Sequence, residues 1–175
     1  LAERQAGEGL FGASPTAIAN DVLTLELMEN ALLAGKIACY AQGFVMLSAA
    51  SDEYGWSLPM PQIAEVWREG CIIRSTMLND MAEALANDSN LNLMFAPYFA
   101  DKMQQTHDSL RQLVAIAISH GHSVPALSTA IAYFDTMRTA RGTANMIQGQ
   151  RDFFGAHSFG RLDAPGAHHG PWGSN

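Results

Sequence analysis

Arg151 and His157, six positions apart in a chain of 175 residues, are the side chains best suited to hold an anion. A guanidinium presents a planar fork of donors that matches phosphate or carboxylate oxygens, and an imidazole adds a donor that switches near neutral pH. Between them stand Phe153, Phe154 and Gly155. The run 144–158 reads as a helix that carries Arg151 on its last turn, stops at Gly155 and releases His157 into an irregular tail. From these residues alone a second reading stays open. Arg151 could instead pair with Asp152 or with a helix end, while the two aromatics plug a groove.

Other chemistry is sparse. His120 with His122, and His168 with His169, form close pairs with no acidic or thiolate partner at ligand spacing, so they read as exposed turn residues and no metal site is assigned. Cys39 and Cys71 make no CxxC pattern and lie in apolar surroundings; they read as buried thiols, as suits a reducing, cytoplasmic setting. Gly7, Gly9 and Gly12 spell GxGxxG, but no strand leads into them, and no cofactor-binding residue is assigned there. No HExxH and no nucleophile elbow occurs, so no catalytic residue is assigned either. Lys36 is a lone cation in an apolar run; a structural ion pair is the expectation and a ligand contact the alternative.

The elements that must position Arg151 and His157 are helical. Residues 17–54 form the longest uninterrupted stretch, free of proline and closed by Gly55. Almost every position from Ala31 to Ala50 is apolar or small, which predicts burial around most of the helix. The run is long enough to suggest a membrane span, but Lys36, Gln42 and Ser48 interrupt it and acidic residues flank it, so a core helix is expected. Further helices are expected over 62–68, from the Gly70 turn to about Ala86, from Pro97 to about Ser119, from Pro125 to about Ala140, and from Ala144. Residues 1–15 read as a surface connection, and no segment alternates as a strand does. Beyond His157 come Gly160, Pro165, Gly166, Gly170, Pro171 and Gly173, which cannot sustain regular structure. Such a tail is ordered only if a surface holds it, and Phe159 and Trp172 suggest that one does. The fold class is all-α: a multi-helix domain over 1–158, with one long buried helix, and an extended C-terminal tail over 159–175. Seventeen acidic against ten basic residues give a net charge of −7, which argues against nucleic acid or an anionic membrane as partner.

Three segments carry a resemblance: Ala34-Gly35-Lys36-Ile37-Ala38-Cys39-Tyr40-Ala41-Gln42-Gly43-Phe44, Trp67-Arg68-Glu69-Gly70-Cys71-Ile72-Ile73-Arg74-Ser75, and Ala144 to His157. In order and spacing they resemble the C-terminal helical domain of 6-phosphogluconate dehydrogenase. Glu69, Gly35 and Phe153 depart from the residues usual there (glycine, serine and tyrosine). The resemblance implies an all-α domain whose C-terminal arm reaches the neighbouring subunit of a homodimer. It also implies that Arg151 and His157 bind 6-phosphogluconate there. The family's NADP-binding domain, its lysine–glutamate proton-transfer pair and its Lys-Gly-Thr-Gly loop have no counterpart in these residues. The expectation is therefore the substrate-completing part of a decarboxylating dehydrogenase of the pentose phosphate pathway, inactive by itself. The alternative is a helical module that only dimerises.

Overall fold

The computed structural model of the chain describes residues 1–13 and 15–172; Gly173, last of the tail glycines, lies outside the described residues. Two compact units are present, Leu1–Phe134 and Asp135–Asn175.

The first unit holds helices α1 (Ala2–Phe11), α2 (Leu25–Tyr54), α3 (Met60–Gly70), α4 (Met77–Asn87) and α5 (Pro97–Ser119), and most of α6 (Pro125–Met137). A single 3-10 turn, Leu93–Phe95, leads into α5. Pro97 and Pro125 each occupy a first helical position, where the missing N–H is no loss. The backbone carbonyl of Ser51 accepts from the Trp56 N–H at 2.9 Å, and Gly55 closes α2 in the left-handed region at φ 64°, which a glycine adopts without steric cost.

The start of α2 differs from the expectation. The helix begins at Leu25, not Ala17, because the Thr24 hydroxyl accepts the Leu27 N–H at 3.1 Å and caps it there. The preceding segment is held at the far end of α5. The Thr16 N–H donates to the His120 carbonyl at 2.9 Å, and His122 Nε2 donates to the Thr16 carbonyl at 3.0 Å. His120 Nδ1 donates in turn to the Ile116 carbonyl at 2.8 Å. These histidines are anchors rather than idle turn residues. Residues 2–11 form α1 where a connection was expected: Ala, Glu, Gln, Arg and Leu outweigh two glycines in propensity, and the helix runs until Gly12 at φ 86°. None of its residues is buried.

The core lies where α2 packs along α5, with α3 against α4 beside them. Ile37 of α2, Leu78, Met81 and Leu85 of α4, Leu93 of the 3-10 turn, and Phe99 and Leu110 of α5 are the largest side chains wholly removed from water. Each such side chain contributes roughly 1.5–3 kcal/mol of transfer free energy. Asn92 caps the 3-10 turn through the Met94 N–H at 3.0 Å and donates to the Tyr133 hydroxyl at 2.8 Å, so a buried amide is satisfied.

From Ala31 to Phe44 only Leu32 and Cys39 of α2 are exposed, so burial covers most of its circumference there, yet one stripe stays open. Leu25, Leu32, Cys39 and Met46 recur every seven residues and all remain exposed, Leu25 by 77%, Leu32 by 56% and Met46 by 67%. Cys39 therefore lies on an open stripe, and Cys71 is half-buried; neither is the enclosed thiol that the sequence suggests. By length and composition α2 could cross a membrane, but its inner side forms the core with α5. Lys36 makes no ion pair with a carboxylate among the described residues. Its Nζ donates to Ser75 Oγ at 3.3 Å, and the neighbouring Tyr40 hydroxyl donates to the Ile73 carbonyl. Together they fasten the loop after α3 to α2.

The second unit consists of the end of α6, helix α7 (Ala144–Gly155) and a C-terminal arm. The arm contains a short strand pair that alternation could not reveal: β1 (Phe159–Gly160) runs antiparallel to β2 (Ala167–His168), Phe159 facing His168. Two residues per strand are too few for a period of two to register in a sequence. The reversal between them is closed by the Arg161–Asp163 ion pair and by Gly166 at φ 95°.

Candidate functional site

Helix α7 has the bounds that the sequence predicts, but its end is built differently. The left-handed residue is Ala156, at φ 50° and ψ 40°, and its N–H returns to the Asp152 carbonyl at 2.9 Å. Gly155 is the last helical residue and serves space, not φ: a Cβ there would stand 2.6 Å from His157 Cδ2. The imidazole thus rests on the bare face of Gly155. Gly155 follows Arg151 by one helical turn, so the ring lies along the side of the helix that carries the guanidinium.

Ser158 is also left-handed, at φ 61°. Two residues in that region, separated by one, cost about 1 kcal/mol or more each and require compensation. It comes from both sides of Ser158. The N–H donates to Asp152 Oδ1 at 2.8 Å, and the carbonyl accepts from Gln148 Nε2 at 2.6 Å. His157 is therefore held between two fixed neighbours while its own ring stays exposed.

Asp152 is the centre of the unit. Oδ1 accepts from the Ser158 N–H and from His169 Nδ1 at 2.6 Å. Oδ2 accepts from the Gly170 N–H at 2.8 Å and from the Trp172 indole N–H at 2.6 Å. Four donors fill the acceptor capacity of a carboxylate. Its side chain is wholly buried, and burial alone would raise its pKa. The Gly170 N–H, the Trp172 indole, His169 and the Ser158 N–H outweigh that and hold the carboxyl far below the usual range. Trp172 also meets Phe153 edge-to-face with ring centroids 5.9 Å apart, and Gly170 leaves room for it, since a Cβ there would lie 2.0 Å from Trp172 Cε2.

With Asp152 occupied on both oxygens, the sequence alternative of an Arg151–Asp152 pair does not form. Arg151 is exposed, and its Nη1 makes a long contact of 3.3 Å to Gln148 Oε1, one turn back. The outcome is a helix end with an open guanidinium and an open imidazole on a rigid support. Such a surface can hold an anion by charge-assisted hydrogen bonds.

Two grooves have other characters. One of about 790 Å³ in the second unit is lined by Met146, Phe153, Phe159, Leu162 and Trp172 and is too apolar for an anion. One of about 520 Å³ in the first unit runs along the exposed stripe of α2, past Leu32, Cys39, Trp67 and Ile72, with Lys36 and Arg74 at its edge. The Gly7–Gly12 run lies in α1 and its cap, so it does not have the strand–turn–helix form of a dinucleotide site. No group of three or more metal-ligating side chains occurs among the described residues.

The family model described as 6-phosphogluconate dehydrogenase, C-terminal domain, matches residues 2–172. The chain is similar to the NAD(+)-dependent, decarboxylating 6-phosphogluconate dehydrogenase of Bacillus subtilis, with 46% identity over 85% of this chain and 32% of the relative. It is similar to the decarboxylating 6-phosphogluconate dehydrogenase of Klebsiella pneumoniae at 43% identity, over 95% of this chain and 36% of that protein. Among solved structures, the Plasmodium falciparum 6-phosphogluconate dehydrogenase superposes with a TM-score of 0.88 at 34% identity, over 98% of this chain and 38% of that one. That enzyme was solved in its apo form, with its cofactor NADP+ and with its substrate 6-phosphogluconate. The chain thus spans about a third of the length of the curated relatives it matches.

Proposed function

The chain belongs to the family of 6-phosphogluconate dehydrogenase C-terminal domains, and on that footing we propose that it is the dimer-forming, substrate-completing part of a decarboxylating 6-phosphogluconate dehydrogenase. In this reading the arm reaches a neighbouring subunit. Arg151 grips the phosphate of 6-phosphogluconate through two oxygens, and His157 adds a hydrogen bond to the phosphate or the sugar. Both residues position the substrate and neither moves a proton. The observation that carries the reading is the contrast within α7 and its end. Asp152 and Ser158 are locked, while the adjoining Arg151 and His157 are left open to solvent.

The reading puts NADP on a part of the enzyme outside these 175 residues. There it would accept the hydride when the sugar acid is oxidised, before carbon dioxide is lost. A relative 46% identical over 85% of this chain is NAD(+)-dependent, so the reading does not take the preference for NADP from these residues. A cytoplasmic location belongs to the same proposal; the relatives include a chloroplastic enzyme of Spinacia oleracea.

The exposed heptad stripe of α2 gives the homodimer its most suitable surface. A helix that presents Leu25, Leu32, Cys39 and Met46 to water leaves apolar area that a second copy can cover. The proposal is tested by assaying NADPH formation from 6-phosphogluconate. The purified 175-residue chain should form none, and the complete polypeptide that carries it should form it. Turnover by the 175 residues alone would refute the division of labour. An inactive complete polypeptide would leave only a dimerisation module.

A further inference from the structure

We propose that Asp152 is a positioning residue for substrate binding, acting through the two side chains assigned above to the phosphate; the inference rests on that assignment. Three observations meet in this carboxylate. It directly follows Arg151 in α7. It holds the N–H of Ser158, the residue directly after His157, at 2.8 Å. It also fastens the far end of the arm through His169, Gly170 and Trp172. A loop that leaves α7 at Ala156 and returns at Trp172 is thereby closed on one buried side chain, with the β1–β2 pair inside it.

The consequence for His157 is geometric. Its backbone lies between Ala156 and Ser158, both left-handed, a conformation that residues with a Cβ leave readily unless they are held. Gln148 holds the Ser158 carbonyl, but among the described residues only Asp152 holds its N–H. Losing that bond lets the 156–158 reversal relax, and the imidazole then leaves the face of Gly155 and the side of the helix shared with Arg151. A displacement on the order of 1 Å is enough to weaken the hydrogen bond assigned to His157 and with it the joint hold on the substrate.

Asparagine fits the space of Asp152 but cannot replace it. Its amide turns two N–H groups toward donors, so at least one pair among Ser158, His169, Gly170 and Trp172 loses its acceptor. In the complete polypeptide, Asp152→Asn should raise KM for 6-phosphogluconate on the order of tenfold, the size expected for one charge-assisted hydrogen bond. The kcat and the KM for the cofactor should stay as in the wild type. In a His157→Ala background, Asp152→Asn should add about twofold or less, because its effect runs largely through the residue already removed. Trp172→Phe keeps the aromatic contact with Phe153 and deletes one donor of the four; it should raise the same KM about threefold, and it serves where Asp152→Asn does not fold.

A rise in KM for Arg151→Ala with none for Asp152→Asn or Trp172→Phe overturns this inference and leaves the phosphate assignment standing. No rise for any of the three overturns both. A fall in kcat equal to the rise in KM, or full additivity with His157→Ala, makes Asp152 a support of the fold and overturns the positioning role.

Discussion

Replacing Arg151 by alanine in the complete polypeptide should raise KM for 6-phosphogluconate about ten- to a hundredfold, the cost of a charge-assisted hydrogen-bonded pair. The loss falls on KM because the phosphate is remote from the reacting carbons and is held equally in the ground and transition states. Affinity for the cofactor barely changes. The diagnostic comparison is with gluconate, which lacks the phosphate. Its weak turnover should be nearly untouched by Arg151→Ala, whereas equal losses on both substrates would make Arg151 structural. Lysine keeps the charge but loses the planar fork, so Arg151→Lys should restore binding only in part. His157→Ala should act in the same direction and more weakly. The structure gives the experiment a clean baseline: among the described residues Arg151 contributes only a 3.3 Å contact to Gln148, so its removal leaves no buried partner among them stranded.

The second large effect concerns assembly. Leu32→Asp combined with Met46→Asp should convert the proposed dimer to monomer at micromolar concentration. Both side chains are more than half exposed in the single chain, at 56% and 67%, so the charges cost the isolated fold little. In a two-fold interface each substitution occurs twice. Two copies of one buried Leu forfeit roughly 3–6 kcal/mol of transfer free energy, a rise in the dimer dissociation constant of about a hundredfold or more. Desolvating the carboxylates adds to that. Sedimentation velocity over a concentration series measures it, and an unchanged dimer would show that α2 is not the contact. Substrate turnover should fall with the dimer, since an arm that acts on a neighbour needs one.

Much of the fold is legible in the residues because its boundaries are written locally. Pro97 and Pro125 open α5 and α6, and Gly55 closes α2. Features that depend on distant partners are not legible in this way. Residues 17–24 look helical by composition, and only Thr24 and the pull of His120 and His122 on Thr16 end the helix early. The apolar run of α2 announces that it must be covered on several sides, but a sequence does not say whether its own chain or a second copy covers them. That is why Cys39 reads as buried and stands exposed.

The candidate site divides in the same way. Arg151 and His157 stand out by type and spacing, because few other cations share a segment with aromatics and a helix end. Asp152 reads from sequence only as a neighbour that could pair with Arg151. Its actual partners lie 6 to 20 residues ahead, in a stretch without periodicity. The one trace of this network is that Trp172 and Phe159, both far into a glycine-rich tail, imply a surface that holds the tail down.

The central claim is that the arm of one subunit completes the substrate site of the next, and mixed dimers test it most directly. One subunit carries Arg151→Ala with its proton-transfer residues intact, and the other carries a wild-type arm with those residues disabled. In the mixed dimer the intact chemical centre should receive the wild-type arm from its partner, and activity with the wild-type KM for 6-phosphogluconate should reappear. If mixing yields only the raised KM of Arg151→Ala, the arm serves its own subunit and the account is contradicted.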